Sequence, residues 1–360
     1  MIVAFRVDAG THIGTGHLMR CRVLAHALRR HGVNVLFISR TMPGNMIQSL
    51  RQESFQVFEL FGNAEASGEG ATARDPWLTV STIFDAQQTL RVLERMNIDL
   101  LVIDSYGIDA EWESIVSSRV DYLMVIDDIA NRRHHCDFLL DQNLKVGFEK
   151  AYNELVGPTT VQLLGPQYAL VRPEFANLRQ ASLDRRSEGK IERLLISMGG
   201  SDPDDEVSRV VESIQQRAGT WRHIDVIVGS AYGPIESLKV QLQGIPAELH
   251  IQTPNMARLM QMADIAVTAG GSTSWEKCTL GLPSVVAVMA ENQSPIAAAL
   301  HASGAQVTIA PETYAGARPY SDVLDKLTVD DLKSMSHRAS CICDGMGADR
   351  VSALLLEECR

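Results

Sequence analysis

Apolar and polar positions alternate along this chain in two rhythms. Short apolar, β-type runs occur at Ile2–Val7, Val33–Ser39, Leu100–Asp104, Tyr122–Asp127 and Phe138–Leu140. Between them, apolar residues recur at helical spacing over His17–Arg30, Thr79–Met96 and Asp109–Ser118. The alternation resumes from Leu194, with strands expected at Leu194–Met198, Asp225–Val228, Leu249–Ile251, Ile265–Thr268, Ser284–Val288 and Gln306–Ile309. Helices are expected over Asp204–Arg217, Met256–Met262, Thr273–Leu280 and Pro295–Ser303. Strands separated by helices pair in parallel through right-handed crossovers, so the pattern predicts two doubly wound Rossmann-type α/β domains facing across a cleft. The first is expected over residues 1–181, with a crossover segment at 165–181, and the second over residues 191–360, including helices from Val329 onward. The charged stretch Ser182–Lys190 lacks apolar periodicity and reads as the linker between them, and Gly62–Pro76 reads as a polar loop.

Composition narrows the partners. A length of 360 residues suits two cores better than one, and 45% hydrophobic with 21% charged residues is ordinary for a globular protein. A net charge of −11 argues against nucleic acid or an anionic membrane as partner. It leaves room for a phosphorylated small molecule, because a few backbone amides suffice to bind one. No apolar run reaches membrane-spanning length, and the chain opens directly into a strand, so a cytoplasmic protein is expected. The six cysteines show no paired metal-ligand spacing and read as reduced thiols.

The chemistry concentrates where strands hand over to helices. After Ile2–Val7 the chain runs Asp8-Ala9-Gly10-Thr11-His12-Ile13-Gly14-Thr15-Gly16-His17, a strand, a glycine turn and a helix opening. Gly14 and Gly16 let backbone approach a ligand, and the helix N-terminus offers free N–H groups to an anion. His17 sits where that dipole favours a neutral imidazole, able to accept a proton. Arg20, one turn on, is a candidate phosphate ligand, with a solvated helix face as the plainer alternative. Two further strands end in paired glycines before a helix, at Gly199-Gly200-Ser201-Asp202 and at Gly270-Gly271-Ser272-Thr273-Ser274-Trp275-Glu276. One such pair merely permits a tight turn, but two in one domain favour a nucleotide diphosphate held by Gly199, Gly200, Gly271, Ser272, Thr273 and Ser274.

Other motifs carry less. Gly14-x-Gly16 lacks the third glycine of a dinucleotide fingerprint, and there is no phosphate loop of the Gly-x4-Gly-Lys type. Asp202-Pro203-Asp204 reads as an Asp N-cap with Pro at the first helical position rather than as a metal site. His134-His135-Cys136 reads as a structural turn, and Asp127-Asp128 as groups that orient a loop or touch substrate. No metal and no cofactor are expected.

The combination of Phe5-Arg6-Val7-Asp8, Ile13 to Arg20, Asp104-Ser105-Tyr106-Gly107, Asp127-Asp128 and His135-Cys136-Asp137 is distinctive. With Gly165 to Phe175, Met198 to Asp202, Gly270 to Glu276 and Glu291-Asn292-Gln293, it resembles the UDP-sugar hydrolases of pseudaminic acid biosynthesis, relatives of the GT-B glycosyltransferases. The resemblance spans residues 1 to about 310. It implies hydrolysis of UDP-2,4-diacetamido-2,4,6-trideoxy-β-L-altropyranose with inversion. By analogy, His17 deprotonates the water, Tyr106 positions water or substrate, and Asn292 contacts the sugar, with Gln293 beside it in the same motif. It also implies that backbone near Met256 meets uracil, and that Glu276 accepts from the ribose hydroxyls. Taken singly, His17 reads first as a capping residue, Asn292 as a turn residue and Glu276 as an exposed helix acid, while Tyr106 reads equally as a loop aromatic. A GT-B glycosyltransferase passing the sugar to an acceptor is the alternative, and a catalytically silent nucleotide-sugar sensor is a third. The sequence leaves oligomeric state open.

Overall fold

A computed structural model describes residues 1–62, 75–200, 202–215, 220–271, 273–309 and 319–359, the side chains of Asn292 and Pro319 excepted. The chain forms two compact units, Met1–Asn143 with Gly147–Leu170 and Met346–Arg360, and Leu144–Val146 with Val171–Gly345.

The first unit holds strands β1 (Ile2–Val7), β2 (Asn34–Arg40), β3 (Gln56–Leu60), β4 (Ile98–Asp104), β5 (Val120–Ile126), β6 (Phe138–Asp141) and β7 (Val161–Leu164). They pair in the order β3-β2-β1-β4-β5-β6-β7, and every pairing is parallel. Helices α1 (Gly16–Arg30), α2 (Ile47–Gln52), α3 (Thr82–Leu93) and α4 (Ala110–Ser117) supply the crossovers. Because successive side chains alternate across a strand, Val3, Phe5 and Val7 of β1 join one core with Leu18, Leu24 and Leu28 of α1, while Ala4 joins the core beneath α3 and α4. Strand order reverses between β1 and β4. Ligands of open parallel sheets gather at such a reversal, outside the carboxyl ends of the strands.

The second unit repeats the plan with β8 (Arg193–Ser197), β9 (His223–Val228), β10 (Ala247–Ile251), β11 (Ile265–Ala269), β12 (Ser284–Ala287) and β13 (Val307–Ile309), in the order β10-β9-β8-β11-β12-β13. Its helices are α5 (Pro173–Ser187), α6 (Glu206–Ile214), α7 (Ile235–Gln241), α8 (Met256–Met262), α9 (Thr273–Leu280), α10 (Ser294–Ala302), α11 (Pro319–Leu324) and α12 (Val329–Ile342). The reversal here lies between β8 and β11.

Three sequence expectations change. Ser182 to Ser187 is the last part of α5, not a linker. Ser182 is fully buried with its hydroxyl donating to the Leu280 carbonyl at 2.8 Å, and Arg186 donates to the carbonyls of Met260 and Ala263. Two of the polar residues that hid this helix, Ser182 and Arg186, are buried donors. The tail also divides differently from the expected 191–360 domain, because α13 (Gly347–Glu358) places Ala348, Val351 and Leu355 in the core beside α1. A Cβ on Gly347 would meet the Ala169 carbonyl oxygen at 2.3 Å, so only glycine allows that close approach. Finally, β3 and β7 were not anticipated; both are short, and β3 carries Gln56 and Glu59 among its five residues. The Gly62–Pro76 loop lies, from 63 to 74, outside the described residues. No described helix is long and apolar enough to cross a membrane, and all six cysteines are free.

Candidate active site

Gly10 and Gly14 close the turn after β1 by exchanging backbone hydrogen bonds of 3.1 and 2.8 Å. Gly14 stands at φ +76°, a conformation that side-chain-bearing residues adopt only with strain. The closed turn delivers the chain to α1 with His17 as its second residue. Tyr106 follows the carboxyl end of β4, so both side chains sit at the first unit's strand reversal.

Three rings meet there. The His17 and Tyr106 ring centroids lie 4.5 Å apart at an interplanar angle of 81°, and Trp77 packs edge-on against Tyr106 at 4.8 Å. His17 turns Nδ1 toward the end of β4, 3.8 Å from Oδ1 of the buried Asp104. That approach is electrostatic rather than a hydrogen bond.

Arg20, three residues further along α1, holds the acids in place. Its Nε and Nη2 donate to the two oxygens of Asp104 at 2.6 and 2.7 Å, and its Nη1 donates to both oxygens of Asp128 at 2.8 and 2.7 Å. Asp128 also accepts from the Tyr106 hydroxyl at 2.9 Å and from Asn143 Nδ2 at 2.7 Å. Burial is the largest influence on the Asp128 pKa and works to raise it, but the Arg20 and His17 charges and the hydrogen bonds from Arg20 and Tyr106 together bring the group down to about 2. Burial, reinforced by Asp128, pushes the Tyr106 phenol far above its usual range, so it stays protonated and donating. The expected phosphate contact at Arg20 is thereby corrected: its guanidinium is committed to two carboxylates, and the residue is a buried strut. Of the two roles foreseen for Asp127 and Asp128, the hydrogen bonds bear on loop orientation alone. Asp127 receives the backbone N–H groups of Ile129 and Ala130 and orients the loop, whereas Asp128 is the hub beneath Tyr106.

In the second unit, Gly199 and Gly200 follow β8 and Gly270 and Gly271 follow β11, again at the strand reversal. Gly199 has φ +98° and Gly271 φ +122°, both left-handed, and among the described residues an added Cβ on Gly199, Gly200 or Gly271 would meet nothing within 4 Å. Gly229, after β9, was missed by the sequence reading: a Cβ there would lie 2.0 Å from the Gly200 carbonyl oxygen, so this glycine lets the two loops touch. Thr273 opens α9, and the Ser274 amide donates to Gly271 O at 2.9 Å. Gln293 Oε1 accepts from the Met289 amide at 3.0 Å, and its side chain packs against Gly270. That carbonyl braces the turn. Glu276 is held by Arg172, whose Nε and Nη2 both reach Oε1 at 2.9 Å. Burial raises its pKa against the opposing Arg172 charge. Met256 opens α8 and is half-buried. Ser272 and the Asn292 side chain lie outside the described residues, while the Asn292 backbone belongs to the short 3-10 turn Glu291–Gln293. Asp202 accepts from the amides of Glu206 and Val207 at 3.0 and 2.8 Å. The helix starts two residues beyond Asp204, so Pro203 is not its first residue. His134 is buried with Nδ1 2.7 Å from Glu113 Oε1, as befits a structural turn.

Residues 194–338 match the glycosyltransferase family 28 C-terminal domain. The chain is 24% identical over 81% of its length to an uncharacterised protein of Methanocaldococcus jannaschii, of whose length it spans 57%. It is also 24% identical to the spore coat polysaccharide biosynthesis protein SpsG of Bacillus subtilis, covering 86% of this chain and 84% of that one. Identity is again 24% with the UDP-2,4-diacetamido-2,4,6-trideoxy-beta-L-altropyranose hydrolase of Campylobacter jejuni, over 85% of this chain and 98% of the relative. Among solved structures, MurG of Acinetobacter baumannii superposes with a TM-score of 0.69 at 15% identity, covering 99% of each chain. By fold, the chain is a GT-B-like α/β protein of two Rossmann-type, parallel-sheet units.

Proposed function

We propose that this chain is an enzyme acting on a nucleotide sugar, and specifically a metal-independent, inverting hydrolase of UDP-2,4-diacetamido-2,4,6-trideoxy-β-L-altropyranose. The observation that carries the reading is the placement of His17 and Tyr106 together at one strand reversal, over an Arg20-clamped pair of acids. The likeness to the Campylobacter hydrolase supports the choice of substrate.

In this reading the second unit holds UDP. The glycine turns after β8 and β11 present amides to the diphosphate, with Thr273 and Ser274 beside them at the opening of α9, Glu276 meets the ribose through a carboxylate steadied by Arg172, and Met256 lies by the uracil. Asn292 and Gln293 lie by the sugar, Gln293 through the turn it braces. In the first unit, Asp104 faces Nδ1 of His17 and so leaves Nε2, across the ring, for the water. His17 takes one proton as the water oxygen bonds to the anomeric carbon. The bond from that carbon to the diphosphate oxygen breaks, and the electron pair leaves on UDP, where amide donors meet the new charge. Tyr106, kept protonated, donates and positions. Attack opposite the leaving group inverts the anomeric centre and yields 2,4-diacetamido-2,4,6-trideoxy-L-altrose.

The match to a glycosyltransferase C-terminal domain favours a second reading, in which the same donor passes its sugar to an acceptor. Incubating the protein with the UDP-sugar alone separates the two, since a hydrolase releases stoichiometric UDP and a transferase releases little. His17→Phe should lower turnover by about 10²–10⁴-fold, the usual worth of a general base, while UDP affinity in a calorimetric titration stays unchanged. Undiminished turnover in that variant would remove His17 from the mechanism.

A further inference from the structure

The edge of the second unit's sheet carries a cluster that the proposed hydrolysis does not use. Strand β9 alternates faces: Ile224, Val226 and Val228 enter the hydrophobic core, which puts His223 and Asp225 on the other side. On the neighbouring edge strand β10, Ala247 and Leu249 pack against that core, which puts Glu248 and His250 on the same far face, with Glu248 directly opposite Asp225 in the register.

Ligand-type atoms converge there. His223 Nε2 lies 3.0 Å from Asp225 Oδ1 and 4.0 Å from Glu248 Oε2, and one donor atom from each of the three residues falls within 4.8 Å of the others. His250 Nε2 reaches the same Asp225 oxygen at 2.9 Å. Arg193, on β8, approaches the opposite oxygen, Oδ2, at 3.4 Å. Asp225 therefore already has a permanent cation beside it, and two imidazoles aimed at its other oxygen are more than its charge requires.

We propose that His223, Asp225 and Glu248 bind a divalent transition-metal cation of the zinc class, with His250 as the outer donor that fixes the Asp225 carboxylate. Zinc bonds of about 2.0–2.2 Å to nitrogen and oxygen place tetrahedral ligands about 3.3–3.5 Å apart, close to the spacing of His223 and Asp225. The longer gap falls on Glu248, whose side chain is 63% exposed and free to swing inward, while Asp225 is buried and fixed. One neutral imidazole and two carboxylates balance the charge of the ion, and a fourth position stays open to water. Imidazole with carboxylate suits zinc, copper or nickel better than magnesium or calcium. The ligands come from two adjacent strands, so the ion would pin the edge strand β10 to β9, a structural staple independent of UDP-sugar turnover.

The test is equilibrium dialysis of the full chain against Zn²⁺ at pH 7.5, comparing wild type with His223→Gln, Glu248→Gln and His250→Gln. The cysteines and other histidines are common to all four proteins, so differences report this cluster. His223→Gln is expected to lose one bound equivalent. Glu248→Gln, at an exposed position that tolerates change, should bind at least tenfold more weakly. His250→Gln should weaken binding about 10–100-fold, as loss of an outer partner does. Zn²⁺ should also slow amide hydrogen exchange in residues 248–251 of wild type but not of Glu248→Gln. Equal zinc uptake by wild type and both His223→Gln and Glu248→Gln would overturn the proposal, leaving ordinary ion pairs.

Discussion

Arg20 is the residue on which the first unit's site depends. Its guanidinium joins Asp104 and Asp128, and both acids and the arginine are largely removed from water. Deleting one partner of a buried ion pair leaves an uncompensated charge, typically costing about 3–5 kcal/mol. Arg20→Met should therefore lower unfolding stability by that amount in urea denaturation, and should reduce turnover as well, because Asp104 and Tyr106 lose their support. A stability loss under 1 kcal/mol would show that the acids find other partners. Lys277 offers a converse case. It is buried, donates to Thr268 Oγ1 at 2.7 Å, and among the described residues no carboxylate pairs with it. Burial lowers its pKa from 10.5 to about 8, with Cys278 opposing weakly. Between those two values the unfolded chain binds the extra proton, so stability should rise with pH from about 8 to 10.5, and the penalty is full below 8. Lys277→Met should abolish that rise relative to wild type. At pH 7 it should stabilise the protein by up to about 3 kcal/mol, less about 1 for the lost hydrogen bond. Parallel stability curves for the two proteins would refute the buried-charge account. At this scale strand-turn-helix order marked His17 and the glycines, whereas Tyr106 entered only with the family resemblance. It did not reveal Arg20's true partners, which lie 84 and 108 residues away, because no local pattern encodes a pairing across strands.

Elements were legible where periodicity was strong. Strands β1, β4, β5, β8 and β11 and helices α1, α8 and α9 fall where the apolar pattern places them, within a residue or two at most ends. The C-terminal part of α5 was not, because Ser182 and Arg186 are polar by type yet buried through hydrogen bonds to carbonyl groups. A hydropathy pattern scores such residues as solvent-facing. The glycine turns were read as ligand cradles, but their dependence on a third loop was invisible. Gly229 approaches Gly200 so closely that Gly229→Ala must displace backbone. That variant should keep its secondary structure by circular dichroism yet bind UDP about tenfold more weakly in calorimetry, since the turn after β8 has moved. Unchanged UDP affinity would show that Gly199 and Gly200 do not hold the nucleotide.

For the molecule as a whole, alternation of strands and helices was enough to foresee two parallel-sheet units, each with a strand reversal that collects glycines or an imidazole at its carboxyl end. The assignment of the tail was not foreseeable. Helix α13 has an ordinary amphipathic sequence, and only packing decides that Val351 and Leu355 join the core around α1. The central claim concerns which bond this molecule breaks, and one measurement reaches it directly. The protein is incubated with UDP-2,4-diacetamido-2,4,6-trideoxy-β-L-altropyranose in H₂¹⁸O, and the released UDP is weighed by mass spectrometry. Attack of water on the anomeric carbon predicts stoichiometric UDP free of ¹⁸O. UDP carrying the label, or no UDP at all without an added acceptor, would contradict the account.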